Sequence, residues 1–413
     1  IGFMAAERGD ADAAEIRALL RQDSYAFFRA AGNLVTIEQR YFRGKVPEWS
    51  EILAHPDRDE FWARRNVVAL LDDVRPAALH VAGWFDAEDF RGPLDIYRAA
   101  ERGDDDARNS LVIGPWRHGG WSPGVQGRGE SLGALSFDQP TAEWYQDEVE
   151  LPFFARHLDG RDEPKGPEVR AFETGANAWR EYEHWPPPAS APRALYLRAG
   201  GRASFEPPAE DEGASEYKSD PAEPVPYSAH ETVFPGPLYM VEDQRFLDGR
   251  TDLLSFVSEP LEHDLVLAGA PEVLLQVATT GTDADWIVKL IDVYPEEEAD
   301  ASPAERRLAG AWILLSGDIL RAKYRDSFAH PTPLEPGRVT ATRFALPDRL
   351  HRFRAGHCIG VQIHSTWFPL YDRNPQVYTD IYHASASDFR AATQQVFHRA
   401  GAASQIVLPV LGE

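Results

Sequence analysis

The stretch from Leu79 to His118 limits the fold of this chain more than any other. Two short apolar runs, Leu79 to Ala82 and Leu111 to Ile113, are bounded by turn residues and read as buried strands. Between them the pattern predicts a helix over Pro93 to Arg102. The first run leads into Gly83-Trp84-Phe85-Asp86, the second into Gly114-Pro115-Trp116-Arg117-His118. A strand–Asp–helix–strand–His unit is the later half of a catalytic triad on a parallel sheet, where chain order runs nucleophile, acid, His. The acid and the base are present, and the nucleophile is expected ahead of them.

The rest of the chain divides by pattern. Residues 1–68 read as a helical region, with helices predicted over Ala11 to Arg21, Ser24 to Ala31, Pro47 to Leu53 and from Asp57 onward. Asp57 is the expected N-cap of the last, with Glu60 three residues later. Residues 69–188 alternate strands with helices, which implies a mostly parallel sheet covered on both faces. The spacing predicts a helix over Thr141 to His157, with Trp144, Tyr145, Val149, Phe153 and Phe154 on its apolar side, and a last strand from Val169. Trp185-Pro-Pro-Pro-Ala-Ser-Ala-Pro192 reads as a linker. Residues 189–413 then show short strands between turns, over Arg193 to Arg198, Glu272 to Ala278, Asp285 to Val293 and His357 to Ser365. That composition predicts an all-β sandwich, a jelly roll.

Charge narrows the function. With 42 Lys and Arg against 66 Asp and Glu, the net charge is −24, which repels nucleic acid and anionic membranes. A single cysteine, Cys358 in a strand-like run, excludes an internal disulfide framework and a cysteine zinc site. No run approaches the roughly 18 apolar residues of a membrane span. The acidic Glu296-Glu-Glu-Ala-Asp reads as a solvated loop.

Gly83-Trp-Phe-Asp followed by Gly114-Pro-Trp-Arg-His resembles the cocaine esterase and X-prolyl dipeptidyl peptidase superfamily of serine hydrolases. Three further stretches are similar to the α-amino-acid ester hydrolases within it. They are Phe85-Asp-Ala-Glu-Asp, Gly281 to Val293, and Gln362-Ile-His-Ser-Thr-Trp-Phe-Pro-Leu-Tyr-Asp-Arg-Asn-Pro-Gln376. The resemblance implies an α/β-hydrolase domain with a helical cap, then a C-terminal jelly roll. It implies Asp86 as the triad acid and His118 as the general base. It also implies that the nucleophilic serine, on a Gly-x-Ser-Tyr-x-Gly elbow, is not in this chain and precedes Ile1. Gly129-Glu-Ser131-Leu-Gly133 fits Gly-x-Ser-x-Gly, but it follows the His and lacks the strand and helix that an elbow requires. Ser131 is therefore not expected to be catalytic.

Glu88 and Asp89 crowd the triad acid with two more carboxylates, an arrangement suited to a bound cation. The resemblance implies that they bind a substrate's α-ammonium group at the pocket rim, with buried carboxylates left unpaired when the amine is missing. No metal or other cofactor is expected. The expected function is an acyl-enzyme serine hydrolase acting on α-amino-acid esters or amides, including β-lactam antibiotics with an α-amino acyl side chain. The alternatives are a general carboxylesterase, an X-prolyl dipeptidyl peptidase-like hydrolase, or a non-catalytic fragment with a ligand-binding jelly roll. The expected partner is a small ester or amide, without nucleic acid or membrane, and with room for a homo-oligomer. The compartment is open between bacterial-type cytoplasm and periplasm. Trp367, Tyr371, Asp372 and Arg373 are expected to pack the jelly roll against the hydrolase domain.

Overall fold

The computed structural model describes residue 21 and residues 23–412, apart from 72, 103–107, 162–165, 232–235 and 297–304. The helix expected over Ala11 to Arg21 and most of the loop after Glu296 lie outside the described residues.

Among the described residues four strands form the first sheet: β1 (Ala78–Gly83), β2 (Asn109–Gly114), β3 (Val169–Glu173) and β4 (Ala178–Tyr182), in spatial order β1-β2-β3-β4. β1, β2 and β3 run parallel, and β4 returns antiparallel beside β3. Leu111, Val112 and Ile113 are fully buried, as expected of a central parallel strand. The crossover from β1 to β2 is the helix Arg91–Glu101, which buries Leu94, Tyr97, Ala99 and Ala100. β4 was not anticipated, because Trp179-Arg-Glu-Tyr182 carries no apolar alternation.

A second body of strands, joined into one hydrogen-bonded system among the described residues, forms a jelly-roll sandwich. Its labelled members are β5 (Ser190–Arg198), β6 (Asp285–Val293), β7 (Trp312–Arg321), β8 (Arg349–Phe353), β9 (Cys358–His364) and β10 (Gln405–Leu411). The core between the layers takes alternate residues such as Trp286, Val288 and Leu290 from β6 and Val361 and Ile363 from β9. The other face of β6 is buried too. Ile287 packs there with Tyr227, Tyr239, Leu314 and Trp367, and Ala87 of the first domain rests against the same cluster. Asp372 instead pairs with Arg321 inside the sandwich, and Arg373 donates to Gly32 O in the helical region at 2.6 Å. Of the four residues expected at the hydrolase junction, the structure therefore brings Trp367 and Tyr371 there.

Three expectations need correction. Residues Trp185 to Pro192 are not a free linker: Trp185 is buried, and Ala191 and Pro192 already pair with Val410 and Pro409 of β10. The N-cap of the helix Glu60–Ala63 is Asp59, whose side chain accepts from Phe61 N; Asp57 instead accepts the Tyr324 hydroxyl. The helix Thr141–Tyr145 passes through a wider π turn, Gln146–Glu150, before continuing as Leu151–His157. That turn rotates the apolar stripe, so Phe154 is exposed while Tyr145 and Val149 are buried. Among the described residues no helix is long and apolar enough to cross a membrane.

The two bodies meet along β8. Thr174, just past β3, pairs with His351; Thr174 N donates to Leu350 O and Arg352 N to Thr174 O. Arg352 reaches Glu173, and Arg354 donates to Gly175 O. Behind this contact Asp292 is fully buried, with one oxygen 2.8 Å from His357 Nδ1 and the other 3.2 Å from His351 Nε2.

Candidate active site

Asp86 and His118 stand just beyond the C-terminal ends of β1 and β2, where the register pairs Gly83 with Gly114. Those glycines let the two loops close on each other. A Cβ at Gly83 would overlap the Trp116 carbonyl, and one at Gly114 would overlap the Trp116 indole. With neither present, Trp84 N donates to Gly114 O and Phe85 N to Trp116 O, both at 2.9 Å. Trp84 and Trp116 are buried anchors on either side, their indole N–H groups bound to Phe172 O and Thr141 Oγ1.

Asp86 is buried and its carboxylate is fixed on both oxygens. Oδ1 accepts the backbone N–H of Glu88 at 2.8 Å and of Asp89 at 3.0 Å. Oδ2 lies 3.1 Å from His118 Nδ1. A carboxylate so placed holds the imidazole with Nδ1 protonated and Nε2 free to accept a proton. The His118 side chain is 46% exposed, and among the described residues nothing hydrogen-bonds its Nε2. Desolvation favours the neutral ring, but the hydrogen bond and charge of Asp86, with the charges of Glu88 and Asp89, outweigh it and raise the His118 pKa.

Glu88 and Asp89 lie on the turn between Asp86 and the helix Arg91–Glu101. Both are exposed, so the expectation of buried carboxylates is corrected. Asp89 Oδ2 is 3.6 Å from His118 Nδ1. Their backbone amides are committed to Asp86, while both carboxylates keep contact with solvent and that of Asp89 also reaches toward His118.

Ser131 is exposed on a two-residue hairpin strand, Ser131–Leu132, that pairs with Leu135–Ser136. A turn and a second short strand, not a helix, follow it directly, so it lacks the strand-to-helix turn of an elbow. The hairpin has another use, which the sequence did not reveal. Gln126 Nε2 donates to Ser131 O and to Pro115 O, while its Oε1 accepts Arg117 N, tying the hairpin to the His118 loop. Thr141 Oγ1 donates to Gly129 O and accepts the Trp116 indole. Trp121 stands edge-on to His118 with ring centres 6.1 Å apart. Apart from the His118 ring itself, these supports are neutral groups bound to backbone or to one another, which leave no charge or spacing pattern to read.

At the opposite end of the sheet Glu101, Glu168 and His184 bring three ligand-type atoms within 4.8 Å of one another. Asn109 donates to Glu101, the Tyr97 hydroxyl to Glu168, and His184 Nδ1 is 3.3 Å from Glu168. Hydrogen bonds to Asn109 and Tyr97 and the close approach of His184 account for the carboxylates of this group.

Residues 164–407 match the X-Pro dipeptidyl-peptidase C-terminal non-catalytic domain. Residues 6–120, which include Asp86 and His118, match X-Pro dipeptidyl-peptidase of the S15 family. The chain belongs to the X-Pro dipeptidyl-peptidase family. The chain is 28% identical over 393 residues to cocaine esterase of Rhodococcus sp. (strain MB1 Bresler), covering 92% of this chain and 65% of that protein. It superposes on a selenomethionine-labelled α-amino acid ester hydrolase with a TM-score of 0.88 and 38% identity, covering 94% of this chain and 64% of the other. An aminopeptidase from a marine sediment Thaumarchaeota archaeon superposes equally well, with a TM-score of 0.88 and 37% identity over 95% of this chain and 64% of that one. The chain thus spans somewhat under two-thirds of the length of these relatives. The likeness supports a scaffold of an α/β-hydrolase part followed by a β-sandwich.

Proposed function

We propose that this chain supplies the acid and base of a serine hydrolase that cleaves α-amino-acid esters or amides through an acyl-enzyme, β-lactams with α-amino acyl side chains among them. The observation that carries the reading is the two-sided grip on Asp86, which points one carboxylate oxygen at His118 Nδ1 and leaves Nε2 open. His118 takes the serine proton at Nε2 and returns it to the leaving group, while Asp86 stabilises the charged ring. Among the described residues no hydroxyl hydrogen-bonds His118. In this reading the nucleophile is a serine ahead of Asp86 in chain order, outside the described residues. The substrate is a small molecule; neither nucleic acid nor membrane enters the reading, and a homo-oligomer is compatible with it. Glu88 and Asp89 supply negative charge at the rim, where a protonated α-amine gains charge-assisted hydrogen bonds. Likeness to an α-amino acid ester hydrolase supports this assignment.

The test compares an α-amino ester with its des-amino analogue in the complete protein. The amino ester should be preferred by about a hundredfold in kcat/KM. Glu88→Gln with Asp89→Asn should remove most of that preference. The exposure of both carboxylates favours a second reading, a general carboxylesterase. Equal losses on both substrates would select it.

A further inference from the structure

Asp348 and Arg349, at the start of β8, reach from the sandwich beneath the segment that carries the acid. Arg349 is only 3% exposed. Its Nε donates to Leu315 O and its Nη1 to Asp348 O at 2.7 Å. The guanidinium carbon stands 5.0 Å from the centre of the Phe90 ring. Phe90 directly follows Glu88 and Asp89, whose amides hold Asp86, and it packs on Trp84 with ring centres 5.7 Å apart. Asp348 Oδ1 accepts from Arg98 Nη2 in the following helix and from the Trp185 indole at 2.9 Å. The dipeptide therefore grips the acid-bearing segment at Phe90 and again at Arg98.

A cation this deeply buried is costly, and an apolar side chain could fill the space below Phe90 without that cost. Burial pushes the Arg349 pKa down to about 10, against the charge of Asp348, so the cation persists at neutral pH. What the guanidinium adds is direction. Its fork is anchored to two carbonyls, and its face is set against one ring.

We infer that Arg349 is a positioning residue for the Asp86–His118 couple, acting through Phe90 to fix the turn whose amides orient the Asp86 carboxylate. This rests on the reading of Asp86 and His118 as an acid–base pair. It gives the domain described for this family as non-catalytic a part in the site.

The test titrates the His118 imidazole by NMR in the histidine-labelled full chain, its resonance identified by its loss in His118→Gln. Arg349→Met should lower the His118 pKa by about 0.5 or more as the Asp86 contact loosens. Arg349→Lys should recover part of the fall. Phe90→Leu leaves Arg349 and its backbone bonds in place and should lower it as well. Simple loss of a nearby cation acts the other way, favouring protonation of the ring. An unchanged or raised pKa in folded Arg349→Met overturns the inference. If that variant does not fold, an unchanged pKa in Phe90→Leu does so. If Asp86→Asn leaves the His118 pKa unchanged, the acid–base reading fails, and this inference with it.

Discussion

Asp86 divides its carboxylate between two tasks, holding its own turn with Oδ1 and His118 with Oδ2 at 3.1 Å. Replacing it by Asn should therefore lower the His118 pKa, because the chief opponents of desolvation at that ring are removed. In the complete protein kcat should fall on the order of a thousandfold or more.

The pH profile follows from the same shift. His118 must be neutral to act as a base, and its pKa is raised. Activity should rise with pH through that raised value, so the acid limb of kcat/KM should be centred above about 6.5. A limb at or below that point would contradict the electrostatics of the site.

Ser131→Ala should change kcat/KM by no more than about threefold. The side chain is exposed, and its backbone carbonyl, which any residue supplies, makes the contact to Gln126. Loss of activity on the scale of a triad member would reinstate the Gly-x-Ser-x-Gly match as the nucleophile.

Gly83→Ala should destabilise the protein by about 1–3 kcal/mol, since the new methyl meets the Trp116 backbone rather than a movable side chain. Urea unfolding would show this. A change in midpoint worth less than about 0.5 kcal/mol would mean that the two loops are less tightly closed than described.

The buried Asp292 adds a pH dependence to stability. Burial opposes its charge, yet the hydrogen bonds and charges of His351 and His357 win and lower its pKa. Its contribution is complete above the unfolded carboxylate value of about 3.9 and is lost as pH falls through the lower folded value. Asp292→Asn should cost about 3–5 kcal/mol at pH 7, and clearly less once both proteins are compared below about pH 3. An equal penalty at both pH values would contradict the linkage.

What could be read from residues alone depended on how local its cause was. β1, β2 and β6 announce themselves as short runs rich in apolar residues, and the parallel pairing of the first two brings Asp86 to His118. The N-cap slipped by two residues because Asp57 and Asp59 are chemically equivalent until Tyr324, far away in sequence, claims one of them. Trp185 to Pro192 looked like a linker because proline is rare in central strands, yet here Pro192 and Pro409 face each other across one pair. Arg349 gave no signal at all. Its significance lies in Phe90, and nothing in either neighbourhood refers to the other.

The seam along β8 also bears on inheritance. A sandwich whose strand is bonded to the end of β3, to the helix after Asp86 and to Trp185 is not an independent cassette. A recombination event that exchanged it at Trp185 to Pro192 would import a foreign partner for Phe90, Arg98 and Thr174 at once. Lineages carrying this arrangement should therefore show the two halves descending together.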